Sequence, residues 1–364
     1  MRAIVLVGGE GTRLQPLTLC TLKQFVPILN RSLLEHLLLH LRSHGVLDIT
    51  LAMTRHSQQV EEVFGDGASL GMRIEYVYEE IPLGSGGAIA CAAAEWTEPF
   101  LVCNGDLLTS LDVTAFIAAH QAKEAVLSIS LHEVEDPSPF GVVVLGEGDR
   151  IVRFVEKPPR ETAPSRMINA GTWLFDPALL DEMDGTQFNR VEDVLFPSIA
   201  NAGRPMYGFM HRGFWLDVGN PDVYLYANLA LLQGEYPERL PAGWPANGLA
   251  TAEARVDAGA QLDAPVLLGA GTVVEADATV RGPVVIGSGC VIGAGATVTR
   301  SVLWDDVTVE AGASVSDSIL ANGVHIGAGA RVEGAVFGQG ASVGAGSVVP
   351  PGTRVAPDTQ WIPE

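Results

Sequence analysis

The chain has 364 residues, 47% of them hydrophobic, with 43 acidic against 22 basic side chains and a formal net charge of −21. That length suits two domains with sizeable cores, and the acidic balance argues against nucleic acid or an anionic membrane as partner. No apolar run approaches the ~20 residues that span a bilayer, and the four cysteines, Cys20, Cys91, Cys103 and Cys290, show no paired or metal-site spacing. With a first strand starting at once and no signal-peptide pattern, the expectation is a cytoplasmic protein in a reduced compartment.

The apolar run Ile4–Val7 reads as a buried parallel strand. It empties into Gly8-Gly9-Glu10-Gly11-Thr12-Arg13-Leu14-Gln15-Pro16-Leu17-Thr18, with Lys23 shortly after. Glycines at 8, 9 and 11 let backbone N–H groups approach a ligand, and Arg13 and Lys23 add fixed positive charge. A strand feeding such a loop predicts a phosphate site. A P-loop is excluded, because Thr12-Arg13 follows Gly11 where Gly-Lys-Ser/Thr is required. A dinucleotide fingerprint is excluded by Leu14, which stands where its third glycine would be.

Strands are expected at Ile4–Val7, Ile49–Met53, Ile74–Tyr78, Phe100–Cys103, Ala125–Leu131, Gly141–Leu145 and Met206–Met210. Helical patterns cover Leu33–Ser43, Gln58–Phe64, Gly86–Ala94, Val113–Lys123 and Pro221–Leu232. This alternation predicts an α/β domain over 1–234 with a mostly parallel sheet, whose ligands sit beyond the strand C-termini. A Pro/Gly-rich linker is expected over 235–250.

From 251 to 364 the pattern changes. Leu268, Val274, Val280, Ile286, Ile292 and Val298 recur at every sixth position, followed by Val309, Val315, Ile326, Val332, Val343 and Val349. Near-copies begin at Val291, Thr308, His325 and Ser342, 17 residues apart. Small hexads with one aliphatic residue each fit the faces of a triangular coil, which predicts a left-handed parallel β-helix. Its single histidine, His325, raises the question of acyl transfer, as in other hexapeptide proteins. A solvated residue in an assembly and regulatory domain is the favoured reading.

Asp106 and Asp217 lie at the ends of apolar runs, where carboxylates beside a phosphate loop suit Mg²⁺ and where a helix cap or turn residue is equally natural. Glu156-Lys157-Pro158 can supply a phosphate anchor in Lys157 and a hydroxyl partner in Glu156, or simply turn the chain. Asn169 can also bond sugar hydroxyls. Leu83-Gly84-Ser85-Gly86-Gly87 opens a helix whose amides can read a base edge or a phosphate, or form a plain turn.

Taken together, seven segments resemble the sugar-1-phosphate nucleotidyltransferases, in particular mannose-1-phosphate guanylyltransferases with a hexapeptide domain. They are Val7–Thr18, Pro82–Gly87, Asn104–Asp106, Pro139–Val144, Phe154–Pro158, Ile168–Gly171 and Gly213–Gly219, in the family's order. Two details depart from the family pattern: Leu22 and Gln24 flank Lys23 where prolines are usual, and Ser85-Gly86 stands for Thr-Ala. The resemblance implies a Rossmann-like nucleotidyltransferase domain followed by a left-handed β-helix, and the flat aliphatic faces and open terminal coil of that solenoid predict a homo-oligomer. It implies catalytic roles for Arg13, Lys23 and Asp106, and nucleotide contacts from Gly8, Gly9, Gly11, Thr12, Gly84, Ser85, Gly86 and Asn104. Gly141, Glu156, Lys157 and Asn169 would hold the sugar phosphate, and Asp106 and Asp217 would hold Mg²⁺. GTP and mannose 1-phosphate are the implied substrates. The alternatives are UTP or dTTP with glucose 1-phosphate, or a catalytically weak subunit that senses sugar nucleotides.

Overall fold

Strand β1 (Arg2–Val7) forms the centre of a nine-stranded sheet in a computed structural model that describes all residues except 10, 55–56, 237–239, 241–242, 251–252 and 364. The chain divides into two compact units, Met1–Gly9 with Leu34–Leu216, and Glu10–Leu33 with Asp217–Glu364.

In the first unit the remaining strands are β2 (Asp48–Thr54), β3 (Arg73–Glu79), β4 (Phe100–Asn104), β5 (Leu127–Glu133), β6 (Gly141–Leu145), β7 (Ile151–Glu156), β8 (Met167–Phe175) and β9 (Met206–Met210). The order is β7-β6-β8-β4-β1-β2-β3, with β5 beside β8 and β9 beside β5. Strands β4, β1, β2 and β3 run parallel, and Leu6 pairs with Asn104 and Val7 with Met53. Their C-terminal ends therefore share one edge, which carries Gly8, Glu79 and the Asn104–Asp106 segment.

The other half of the sheet is mixed: β8 pairs antiparallel with β4, β5 and β6, and β9 pairs parallel with β5. Strands β6 and β7 are joined only by residues 146–150, far too few for a parallel crossover. The expected strands all form, and β7 and β8 extend the apolar runs before Glu156 and at Met167–Ile168. Helices α1 (Leu33–Ser43), α2 (Gln59–Phe64), α3 (Gly84–Ala92), α4 (Val113–Ala122), α5 (Leu195–Asn201) and α6 (Pro221–Leu232) complete the catalogue. Asp112 caps α4 by accepting from the Ala115 N–H at 2.9 Å. The sheet's core is aromatic, with Trp173, Phe175, Phe100 and Phe196 fully buried and Phe100 stacked on Phe175 at 5.6 Å.

The second unit holds three all-parallel sheets of short strands, the coils of a β-helix. Register advances by 18 residues at first (Val266 beside Val284), then by 17 (Val285 beside Val302). All twelve residues of the sixfold pattern, from Leu268 to Val349, are buried in the stack. Successive 17-residue coils turn a corner at Gly295, Gly312, Gly329 and Gly346, each in the left-handed region where a Cβ is costly. Of the expected linker, residues 237–239 and 241–242 lie outside the described residues, and Leu249–Ala250 already pairs with Val266–Leu267 in the first coil. Among the described residues no helix is long and apolar enough to cross a membrane. The four cysteines are free, and burial pushes the Cys103 and Cys290 thiols up to about 12.

Phe337, fully buried, stands where the two preceding coils have Leu303 and Leu320. A stack this regular has little freedom to collapse into a void. Phe337→Ala is expected to cost about 3–5 kcal/mol, seen as a clear fall in the β-helix thermal midpoint by calorimetry.

Candidate active site

The edge of the first unit is built by β1, β3 and β4. The Gly105 N–H donates to the Leu6 carbonyl at 2.9 Å, and a Cβ at Gly105 would stand 2.9 Å from that same oxygen. Only glycine lets the chain leave β4 so close to β1, and this delivers the half-buried Asp106 just past the edge. At the end of β3, burial raises the pKa of Glu79. Its carboxylate takes a hydrogen bond from the Leu83 backbone, yet Oε1 is buried with no hydrogen-bond partner among the described residues. An orphaned acceptor of this kind is costly unless something else supplies the donor.

The glycine turn that opens α3 is braced by residues 189–192. The Gly86 N–H donates to the Asn189 carbonyl at 3.0 Å, and the Asn189 N–H to the Leu83 carbonyl at 2.8 Å. Gly84 has φ +72°, and a Cβ there would lie 2.4 Å from the Asn189 carbonyl oxygen. Ser85 Oγ donates to Glu192 Oε2 at 2.5 Å and accepts from the Val191 N–H at 3.1 Å. Its hydroxyl is thus a brace for the turn. The same segment reaches the end of β7, since Arg190 Nη2 donates to Glu156 Oε1 at 3.0 Å.

Glu156 therefore sits between two cations, with Lys157 Nζ at 3.7 Å from Oε1. Burial raises the pKa of Glu156, opposed first by Arg190. A Cβ at Gly141 would fall 2.8 Å from Glu156 Oε2, so Gly141 makes room for this carboxylate. Lys157 has φ 43°, an unusual value for a residue with a Cβ, and its side chain is exposed. Asn169 is committed differently: its Oδ1 accepts from the Gly171 N–H at 2.9 Å and from Trp173 Nε1 at 2.7 Å. That oxygen shapes an irregularity in β8, which leaves the amide group for any ligand.

In the second unit, Thr12–Leu14 form a turn of 3₁₀ helix, and Thr18 Oγ1 closes the loop by donating to the Gly11 carbonyl at 2.7 Å. Leu14 and Leu17 are buried and anchor it. A second 3₁₀ turn spans Leu17–Leu19, and Lys23 opens a third, Lys23–Phe25. Its Nζ lies 3.6 Å from Asp217 Oδ1, and Arg13 Nη2 lies 3.5 Å from Asp217 Oδ2. The two cations differ in access, with the Arg13 side chain 62% exposed and that of Lys23 only 6%. The trio carries a net positive charge, and Arg13 is the part of it open to an incoming anion.

Three residues escaped the motif reading: Glu79, Arg190 and Glu192. Glu79 had a signal, a carboxylate at a strand end just before the glycine turn. Arg190 and Glu192 had none beyond charge ahead of the apolar α5 pattern. His325, in contrast, is an exposed pair with Glu310, 3.0 Å from Nε2 to Oε1.

An α/β sheet of this topology together with a β-helix is the fold class that these elements define. The comparisons with known proteins agree. Residues 2–234 match the nucleotidyl transferase family model, and residues 248–349 match that of the left-handed β-helix domain of the EIF2B epsilon subunit. Mannose-1-phosphate guanylyltransferase of Mycobacterium tuberculosis is 36% identical over 274 residues, covering 75% of this chain and 76% of that protein. The catalytic beta subunit of the Danio rerio enzyme is 38% identical over 251 residues, 67% of this chain and 69% of that protein. Among solved structures, HddC from Yersinia pseudotuberculosis complexed with GMP-PN superposes with a TM-score of 0.54 at 26% identity, covering 62% of this chain and 97% of that one. The chain belongs to the nucleotidyl transferase family and is an enzyme of that class.

Two outcomes follow from the brace. Gly84→Ala, which must push the 189 segment away, is expected to raise the KM for nucleotide about tenfold or more while leaving the fold intact by circular dichroism. Arg190→Met removes the cation that holds the Glu156 pKa down, so the carboxyl should protonate at higher pH than in the parent. The titration midpoint of the Glu156 carboxyl, followed by NMR, should therefore move to higher pH, and an unmoved midpoint would contradict the pairing.

Proposed function

We propose that the enzyme transfers GMP from GTP to mannose 1-phosphate, releasing pyrophosphate and forming GDP-mannose. The observation that carries the chemistry is the shared carboxylate of Asp217 with Arg13 and Lys23. A phosphate oxygen of the sugar 1-phosphate forms a bond to the α-phosphorus. The bond from that phosphorus to the bridging oxygen breaks, and pyrophosphate leaves with the electron pair. Two polyanions must meet, so positioning and charge neutralisation supply most of the rate. Arg13 and Lys23 would hold the triphosphate, with Gly8, Gly9, Gly11 and Thr12 offering the loop and Gly84, Gly86 and Asn104 the base side. Lys157 would anchor the sugar phosphate as a point charge, with Glu156 and the Asn169 amide beside it.

Mg²⁺ is part of this reading, and Asp106 and Asp217 are the residues proposed to hold it. The donor set fits, because Mg²⁺ commonly takes one or two carboxylates and completes its shell with phosphate oxygens and water. The two ion pairs of Asp217, at 3.5 and 3.6 Å, are looser than the ~2.7–2.9 Å of tight charge-assisted bonds. Its carboxylate can therefore exchange partners. The ion would supply neutralising charge at the reacting phosphate.

The choice of GTP over UTP or dTTP is supported by Glu79. Guanine presents two adjacent donors, its N1–H and its exocyclic amine, which suit an acceptor-only carboxylate. Uracil and thymine present one ring N–H between two carbonyl oxygens, which a carboxylate repels. We place the enzyme in the cytoplasm and propose that the β-helix also mediates homo-oligomerisation.

Pyrophosphate release from four nucleoside triphosphates, each with mannose or glucose 1-phosphate, tests the reading; turnover of no pair would refute it. Glu79→Gln, which replaces one acceptor by a donor, should narrow the preference for GTP over UTP by about tenfold. Asp106→Ala should lower kcat by about a hundredfold or more with the fold unchanged. Parent-like turnover in that variant would remove Asp106 from the metal role.

A further inference from the structure

The loop of residues 11–30 carries both cations, and within the second unit it is tied to the β-helix at several points. Tyr224 on α6 is fully buried, and its hydroxyl donates to the Pro27 carbonyl at 2.6 Å. The same hydroxyl accepts from Trp304 Nε1 at 2.8 Å. One turn further along α6, the fully buried Asn228 accepts the Leu29 N–H at 2.9 Å through Oδ1 and returns its own amide to the Tyr224 carbonyl at 3.1 Å. Asn30 Nδ2 donates directly to the Ile286 carbonyl of a coil at 2.8 Å. Near the chain's end, Arg354 Nη1 donates to the Gln15 carbonyl at 3.1 Å.

Trp304 is out of keeping with its repeat. Equivalent positions in neighbouring coils are Gly287, Ala321 and Gly338, each making the same strand-end backbone bond, and none has a side chain able to reach out of its coil. Only here does a large side chain leave the coil, and it is 3% exposed because it packs against Tyr224, with ring centroids 6.4 Å apart. The repeat has been broken once, at the place where a hydrogen-bond donor meets the loop's support. The support reaches Lys23 by a short path, since Val26 donates its N–H to the Lys23 carbonyl at 3.2 Å and Leu33 to the Val26 carbonyl at 3.1 Å.

We propose that the β-helix is a structural part of the triphosphate site, with Trp304 and Tyr224 as positioning residues that hold the loop of Arg13 and Lys23 in its binding geometry. This rests on the reading that these two cations serve the triphosphate. Helix α6 is the intermediary. Asp217, just before it, fixes the charged ends of the loop, and Tyr224 and Asn228 fix its backbone. Trp304 orients the Tyr224 hydroxyl by occupying its acceptor side, so that its single proton points at Pro27. A site built this way meets the triphosphate already ordered, and small displacements of the cations cost rate steeply.

The test uses the full chain with Tyr224→Phe, Trp304→Phe and the double variant. Both single variants remove the Trp304–Tyr224 hydrogen bond and keep an aromatic ring, and Tyr224→Phe removes the bond to the Pro27 carbonyl as well. Each is expected to lower kcat/KM for GTP about tenfold, with the KM for mannose 1-phosphate within about twofold of the parent. Exchange of the Leu29 amide should accelerate about tenfold while the coil amides keep parent protection. The double variant should be no slower than Tyr224→Phe alone, because both residues act through one chain of bonds. Parent-like kinetics and parent-like Leu29 exchange in both single variants would overturn the proposal. So would losses that appear only as a lower thermal midpoint. If the parent itself turns over no substrate pair, the substrate reading fails, and Leu29 exchange still decides whether the β-helix holds the loop.

Discussion

One carboxylate shared by two cations sets the terms for the second unit. Asp217 holds Arg13 and Lys23 at 3.5 and 3.6 Å, and all three stand on irregular backbone or at its border with a short strand. Cations that close repel each other, and a loop free to move would let them separate. The carboxylate between them offsets that repulsion, and the packing of Leu14, Leu17 and Gln24 fixes the backbone that carries them. Burial of Lys23 strengthens the effect, since fewer waters screen it. The result is a compact positive site on a chain of net charge −21. Local geometry, and not the overall field, decides which ligands such a protein accepts.

The same logic appears with the signs reversed in the first unit. Glu156 is a half-buried carboxylate between Arg190 and Lys157, and its raised pKa reflects burial working against those cations. Arg190 in turn touches Glu192, which grips Ser85 at the glycine turn. The glycine turn before α3 and the end of β7 are thus joined through one short segment, residues 189–192. A brace of this kind lets small, flexible residues such as Gly84 and Gly86 hold a defined shape, because Asn189 bonds to both sides of the turn.

What could be read in the sequence was whatever is local or periodic. The strand Ile4–Val7 that feeds the glycine loop and the sixfold aliphatic pattern from Leu268 are runs or repeats, and each formed as its pattern requires. The antiparallel pairing of β8 was less visible, because Asn169, Gly171 and Thr172 interrupt its apolar residues and leave no clean alternation to read. Contacts between residues 107 or 197 positions apart, such as Ser85 with Glu192 and Pro27 with Tyr224, leave no period at all. They are set by where the elements pack. Trp304 is the intermediate case. Its repeat was plain, and the exception to it was visible as one large residue in a column of Gly and Ala, but its purpose lay in a helix far away in the sequence.

A solenoid is well suited to hold such a residue. Each coil contacts only its neighbours, so a coil in the middle of the stack is buttressed on both sides while a terminal coil is not. Trp304 lies in the interior of the stack, between the coils of Ile286 and Leu320. Prolines beside a lysine would stiffen a loop by fixing its own dihedral angles. Here Leu22 and Gln24 flank Lys23, and order comes from outside, through buried hydrogen bonds to α6 and to a rigid stack. Stiffness of this origin is transferable: a shift of the coil carrying Trp304 is passed to Tyr224, and from there to the backbone that presents Lys23. A loop made rigid by its own prolines would be deaf to such a shift, whereas one made rigid by a neighbouring solenoid is bound to report it.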